Sequence, residues 1–236
     1  MQTAPIIQAK TAYALAIDFN LMPEETMAQT THYFVESIHR RDNHLSVGFL
    51  GISHLLPALT KCGQNELAFA LLEQKGNPGW LYSVINGATT IWERWNSYIA
   101  ETGTFGDVSM NSFNHYAYGS IGQWLYRTVL GIQTGENTDE AGYHKIFLTP
   151  SWGGTLTYAK GEQETPFGKI ASSWEKKENS IVYHCTIPAN TTAHLSLPSS
   201  CHSSVQILEG AAIADTAVSG VADFELVSGS YTFKIC

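Results

Sequence analysis

The sequence predicts a multidomain α and β protein, with a helical half followed by an antiparallel β-sandwich. Three observations carry this. Through the first ~140 residues apolar side chains recur with the period of an α-helix. Beyond them the period drops to two, the mark of strands with one face buried. Between the two regimes lies the polar segment Gln133 to Ala141, which sets the expected boundary, with residues 1–136 helical and 137–236 sandwich.

The helices follow in order. "APIIQAKTAYALAIDFN" places Ile6, Ala9, Tyr13, Ala16 and Ile17 on one stripe. "MPEETMAQTTHYFVESIHRR" opens with Pro23, Glu24 and Glu25, residues suited to a first turn, and lines its inner face with Met27, Thr31, Phe34 and Ile38. "ISHLLPALTKCG" stops at Gly63, a natural left-handed cap, and "QNELAFALLEQKG" restarts at Asn65 and stops at Gly76. In "NSFNHYAYGSIGQWLYRTVLG", Ile121, Trp124, Leu125, Thr128 and Val129 share a face, and Gly131 follows the helix.

The strands are short runs recurring about every ten residues, separated by Gly, Pro, Asn or Ser. They are "KIFLTP", "GTLTYAKGEQ", "GKIASSWEKK", "SIVYHCTIP", "TAHLSLP", "SVQILEG", "DFELVSG" and "SYTFKIC". Ile181, Tyr183, Cys185 and Ile187 alternate, as do Tyr231, Phe233 and Ile235. Eight such runs argue a sandwich. Glu162 and Glu164 fall on its solvent face.

Composition narrows the function. Hydrophobic residues make up 44% and charged residues 14%, so the chain buries a core. The net charge of −8 argues against nucleic acid and anionic membranes as partners, because the one basic cluster, Arg40 and Arg41, sits at an expected helix end. No apolar run approaches the ~18 residues of a membrane span. The first residues lack a charged region followed by an apolar one, so no signal peptide is legible and a cytoplasmic location is the default expectation. Cys62, Cys185, Cys201 and Cys236 are scattered, with neither CxxC nor zinc spacing, and read as unbridged thiols. No metal or cofactor is implied.

Five segments of the helical half are rich in polar and aromatic residues: "LSVGFLGISH", "GNPGWLYSVINGATT", "WERWNSY", "GDVSM" and "NSFNHYAYG". Loops on a rigid scaffold are where functional residues concentrate. Aromatic faces stack on the C–H faces of sugars, and carboxylates, amides and imidazoles bind sugar hydroxyls. Trp80, Tyr82, Trp92, Trp95, Asn114, His115 and Tyr116 fit that chemistry, and equally fit a packed core. Glu93 is the sharpest candidate. Between Trp92 and Trp95 it would be partly desolvated and suited to accept a proton near neutral pH. It also reads as an ordinary acid paired with Arg94, with the two tryptophans three apart on a helix. Asp107 and Glu101 read as solvated acids. Nucleophile elbows, phosphate loops and His-Glu-x-x-His are absent from the sequence.

Four stretches, "LSVGFLGISHLLPAL", "GWLYSVINGATTIWERW", "MNSFNHYAYGSIGQWLYRTVLGI" and "GGTLTYAKGEQETPFGKIASSW", resemble, in order, the C-terminal part of bacterial α-L-rhamnosidases of glycoside hydrolase family 78. The resemblance runs from about Lys10 to the end. It implies the second half of an (α/α)6 six-hairpin barrel followed by a C-terminal β-sandwich. It further implies hydrolysis of terminal α-L-rhamnosyl residues with inversion, and L-rhamnose-containing glycosides as partners. Glu93 of "TTIWERW" then takes the general-base position and His115 of "FNHYAYG" contacts the sugar. Trp80, Trp92, Trp95 and Asn114 are assigned to the sugar-binding wall on their chemistry. The family's general acid lies in an earlier barrel segment, in an Asp-x-x-x-Arg-x-Glu-like motif that this chain does not contain. The expectation is weak or no activity from the chain alone, and either a homo-oligomer or pairing with the missing barrel half. A non-catalytic carbohydrate-binding or assembly remnant, and another (α/α)6 glycosidase or phosphorylase, are the alternatives.

Overall fold

The computed structural model describes residues 10–135, 137–138, 140–198, 205–211, 213–214 and 221–236. Ile6, Ala9 and Cys201, named above, lie outside the described residues. The chain forms two compact units, Met1–Gly122 and Gln123–Cys236.

The first unit is helical. Helix α1 (Lys10–Asp18) ends where Asn20 turns left-handed, with φ 56°, and the Leu21 amide reaches back to the Ala16 carbonyl. That bond satisfies one of the carbonyls orphaned at a helix end. Helix α2 (Glu24–His39) begins directly after Pro23 and buries Thr30, Phe34 and Ile38. Thr30 takes the place expected for Met27, while Thr31 donates its hydroxyl to the Cys62 sulfur at 3.1 Å.

Helix α3 (Phe49–Lys61) continues through Pro57, and ends at Gly63 (φ 70°), with the Gln64 amide bonded to Leu59. It buries Ile52, Leu55, Leu56, Ala58 and Leu59. A Cβ at Gly51 would come within 2.6 Å of the Thr11 hydroxyl, so glycine here is what lets α3 approach α1. Helix α4 (Asn65–Leu72) stops short of the expected Gly76. Its exit is taken over by Gln74, whose side chain accepts from the Gly76 amide at 2.9 Å.

Helix α5 (Trp80–Ile85) is a six-residue element in a segment read as loop-rich. A two-stranded ribbon that the helical period gave no sign of, β1 (Tyr98–Ile99) with β2 (Thr104–Phe105), follows it. The last helical run starts at Ala117 rather than Asn111 and passes into the second unit at Gln123. It comprises a 3-10 turn (Ala117–Ser120), α6 (Ile121–Trp124) and a π-helical turn (Leu125–Val129). Trp124 and Val129 of the expected stripe are buried, whereas Gln123, Tyr126 and Arg127 are exposed.

The second unit holds two five-stranded sheets, ordered β10-β11-β8-β4-β3 and β5-β6-β7-β12-β9. Their strands are β3 (Ile132–Thr134), β4 (Lys145–Leu148), β5 (Tyr158–Thr165), β6 (Gly168–Lys177), β7 (Ser180–Ile187), β8 (Thr192–Pro198), β9 (Val205–Glu209), β10 (Ile213–Ala214), β11 (Val221–Leu226) and β12 (Gly229–Ile235). All eight expected runs are strands. Pairing is antiparallel except between β4 and β8, which run parallel.

Alternate residues face inward, among them Ala193, Leu195 and Leu197 of β8 and Tyr231, Phe233 and Ile235 of β12. The Phe224 and Phe233 rings meet at 4.9 Å. Glu162 and Glu164 are exposed and pair with Lys169. Residues preceding the polar segment belong with these sheets. Trp174 donates its indole N–H to the Val129 carbonyl at 2.8 Å, Ser172 donates to Leu130 at 2.6 Å, and β3 pairs with β4. Each bond satisfies a buried polar group that would otherwise cost its full desolvation.

Cys62, Cys185 and Cys236 are free thiols. Burial pushes the Cys185 thiol up to about 12, so it stays protonated and inert at neutral pH.

Candidate active site

The segments carrying Glu93 and His115 run past each other in opposite senses. The Glu93 amide donates to the Ser112 carbonyl at 2.9 Å and the His115 amide donates to Ile91 at 2.8 Å. The Thr90 hydroxyl donates to the Phe113 carbonyl. Neither segment is helical. Asn86 closes α5 by donating its side-chain amide to the Tyr82 carbonyl at 2.7 Å, and Gly87 turns the chain at φ 83°. The two tryptophans of "WERW" are therefore not stacked along a helix face.

Glu93 is half-buried. Its Oε2 accepts the Ser112 backbone N–H at 2.6 Å, a short charge-assisted bond that fixes the plane of the carboxylate. Arg94 is engaged elsewhere. It donates from Nε to the Met110 carbonyl at 2.8 Å and lies 3.9 Å from Asp107, and among the described residues no ion pair joins it to Glu93. Asp107 is a solvated acid, held below its ordinary range chiefly by the Ser109 hydroxyl and amide.

His115 sits in a three-ring stack, with Phe49 on one side (4.7 Å, 20°) and Tyr116 on the other (5.0 Å, 16°). Its Nδ1 accepts the Ala117 amide at 3.2 Å, which places the proton of the neutral ring on Nε2. Asn114 is exposed, and its amide donates to the Ser112 hydroxyl.

The tryptophans divide into two groups. Trp80 and Trp92 are 8% and 6% exposed. Trp80 donates its indole N–H to the Tyr118 carbonyl at 2.9 Å, and Trp92 packs edge-on against Phe113. Both side chains are buried against these neighbours, where the expectation had placed them in the sugar-binding wall. Trp95 stacks flat on Tyr118 at 3.7 Å, meets Trp80 edge-on, and donates to the Val47 carbonyl at 3.2 Å.

Trp95 and Tyr118 line a groove of about 360 Å³, together with Arg94, Asn96, Pro78, Arg41 and the segment from His44 to Gly48. The Tyr118 phenol is raised by burial; the Arg94 charge opposes this and the Glu93 charge adds to it, which places both charges within electrostatic reach of the ring.

Sequence reasoning missed Ser112, Phe49 and Tyr118. Phe49 and Tyr118 stand inside segments already marked as aromatic-rich. Ser112 acts through its main-chain amide, which no residue type announces.

Lys10 lies behind the groove loop, 6% exposed, with its ammonium 3.4 Å from the His44 carbonyl. Burial, and secondarily the Arg41 charge, lowers its pKa from the ordinary lysine value of 10.5 to about 8. A lysine lowered on folding binds fewer protons folded than unfolded between those two values, so stability rises with pH across that window. Lys10→Met is expected to raise the thermal midpoint by a few degrees at pH 7. That gain should shrink as pH climbs from 8 to above 10.5, read by calorimetry across the range.

A partial helical hairpin array with a carboxylate and an imidazole on crossing loops, followed in the chain by two five-stranded sheets, is the arrangement compared with known proteins of the six-hairpin class. Residues 5–129 match the model of the bacterial α-L-rhamnosidase six-hairpin glycosidase domain, and residues 131–211 match that of the bacterial α-L-rhamnosidase C-terminal domain. The chain belongs to the bacterial α-L-rhamnosidase family.

It is 38% identical over 226 residues to an α-L-rhamnosidase of Streptomyces avermitilis and 40% identical over 202 residues to one of Formosa agariphila. These alignments take in 96% and 86% of the chain but 21% of each relative, so the chain spans about a fifth of their length. The crystal structure of the Streptomyces enzyme complexed with L-rhamnose superposes with a TM-score of 0.89, covering 97% of this chain and 22% of that one. The α-L-rhamnosidase of Aspergillus terreus gives 0.83 at 28% identity, covering 97% and 24%.

Proposed function

We propose that this chain supplies the general-base side of an inverting α-L-rhamnosidase site. The observation that carries the reading is the clasp between residue 93 and residue 112. One carboxylate oxygen of Glu93 is tied to a main-chain amide, and His115 is anchored two hydrogen bonds away on the same crossing.

With Oε2 engaged, Oε1 is left to take a proton from water as that water attacks the anomeric carbon. His115 donates from Nε2 to a sugar hydroxyl, Asn114 offers an amide, and Trp95 gives the wall an aromatic surface. Inversion needs a second carboxylic acid ~6.5–9.5 Å from the base to protonate the departing oxygen. In this reading that acid belongs to a barrel segment outside the chain, and the site is completed by pairing with it.

The test joins the chain in frame behind the barrel segments that precede the matching region in the Streptomyces enzyme, and follows hydrolysis of an aryl α-L-rhamnoside by proton NMR. β-L-Rhamnose is expected as the first product. If α-L-rhamnose appears first, the inverting assignment fails.

A further inference from the structure

The His115 imidazole is held more by flat faces than by hydrogen bonds. Its Nδ1 accepts the Ala117 amide at 3.2 Å. One long bond leaves the ring free to pivot, because the last torsion of a histidine has no sharp staggered wells. The two rings stacked on it remove that freedom, and they are not equivalent. Tyr116 is the next residue on the same loop and is 85% exposed, so it gives no independent hold. Phe49 comes from elsewhere in the chain. It is the first residue of α3, whose following turns bury Ile52, Leu55 and Leu56, and it stacks on the imidazole at 4.7 Å and 20°. Its ring also meets Tyr118 at 5.7 Å and 53°, and Tyr118 lies flat on Trp95 at 3.7 Å. The imidazole is thereby tied, through Phe49, to α3 and to the Trp95–Tyr118 pair. Phe49 itself is 43% exposed, so its ring adds little to the core.

We propose that Phe49 is a positioning residue for His115: its ring fixes the plane of the imidazole, and with it the direction in which the Nε2–H meets the sugar. The inference rests on the reading of His115 as a sugar contact. An aromatic pair shifts an equilibrium by up to about tenfold, which sets the size of the expected effect.

The test is kinetic, on the chain joined to the preceding barrel segments, with an aryl α-L-rhamnoside as substrate. Phe49→Leu keeps the apolar volume and loses the flat face. It is expected to raise KM about tenfold, with kcat within about threefold of wild type and the thermal midpoint unchanged. Phe49→Tyr keeps the face and is expected to hold KM within about twofold of wild type. Because Phe49 acts through the imidazole, Phe49→Leu added to His115→Ala is expected to cost nothing beyond His115→Ala alone. An unchanged KM in Phe49→Leu, a KM in Phe49→Tyr as high as in Phe49→Leu, or a further rise in the double variant would each overturn the proposal. Failure of His115→Ala to raise KM would instead overturn the sugar-contact reading and this inference with it, so the two failures are distinguishable.

Discussion

Given an aryl α-L-rhamnoside, the 236-residue chain alone is expected to turn over at least ~10²-fold more slowly than the same chain joined to the preceding barrel segments. The reason is chemical. Departure of the aglycone needs a proton, and a positioned acid is worth ~10²–10⁴-fold. In the proposed reading that acid belongs to a barrel segment outside this chain. A second cost is structural. Leu50 at the start of α3, Val84 and Ile85 at the end of α5, and Phe105, Val108 and Met110 beyond it are all exposed, at 81%, 59%, 61%, 61%, 88% and 58%. Exposed apolar residues in this number mark a surface meant to be covered. The isolated chain should therefore also run as a dimer or larger species in light scattering at micromolar concentration. A clean monomer with full turnover would remove both arguments.

In the joined protein, Glu93→Gln is expected to lower kcat by ~10²–10⁴-fold with little change in KM. The amide side chain keeps the shape and can still accept the Ser112 N–H, so the loops should hold and the loss should be chemical. Circular dichroism and thermal midpoint, unchanged from wild type, would separate this from misfolding. A parallel fall in both kcat and stability would instead assign Glu93 a structural role.

Much of the fold was legible because it is written in periodicity. The stripe of α2 was read to within a turn, and the eight strand runs were all found. Among the features that escaped, three show why. β3 is too short to show a period, and its place is fixed by partners far along the chain, Leu148 and Ile146. The β1–β2 ribbon has the same weakness. The early end of α4 is decided by the Gln74 side chain, a local competitor that propensity does not weigh.

At the site, residue types pointed to Glu93 and His115, and the family resemblance supplied their roles. What residue types could not convey is which aromatics face outward. Trp80, Trp92 and Trp95 look alike in sequence, yet the first two spend their faces and edges on Tyr118, Phe113 and each other's neighbours, and Trp95 alone of the three lines the groove. Equally invisible was the Ser112 amide, which fixes the carboxylate without any side-chain chemistry.

The central claim is that Glu93 acts by taking a proton from the attacking water. Chemical rescue tests it most directly. In the joined protein, Glu93→Gly removes the base and leaves room for a small anion that needs no deprotonation. With sodium azide, hydrolysis of an aryl α-L-rhamnoside is predicted to recover, and the product is predicted to be β-L-rhamnosyl azide. There the C1–N bond forms as the bond to the aglycone breaks and the acid protonates the departing oxygen. No gain in rate with azide, or free rhamnose as the sole product, would contradict the assignment.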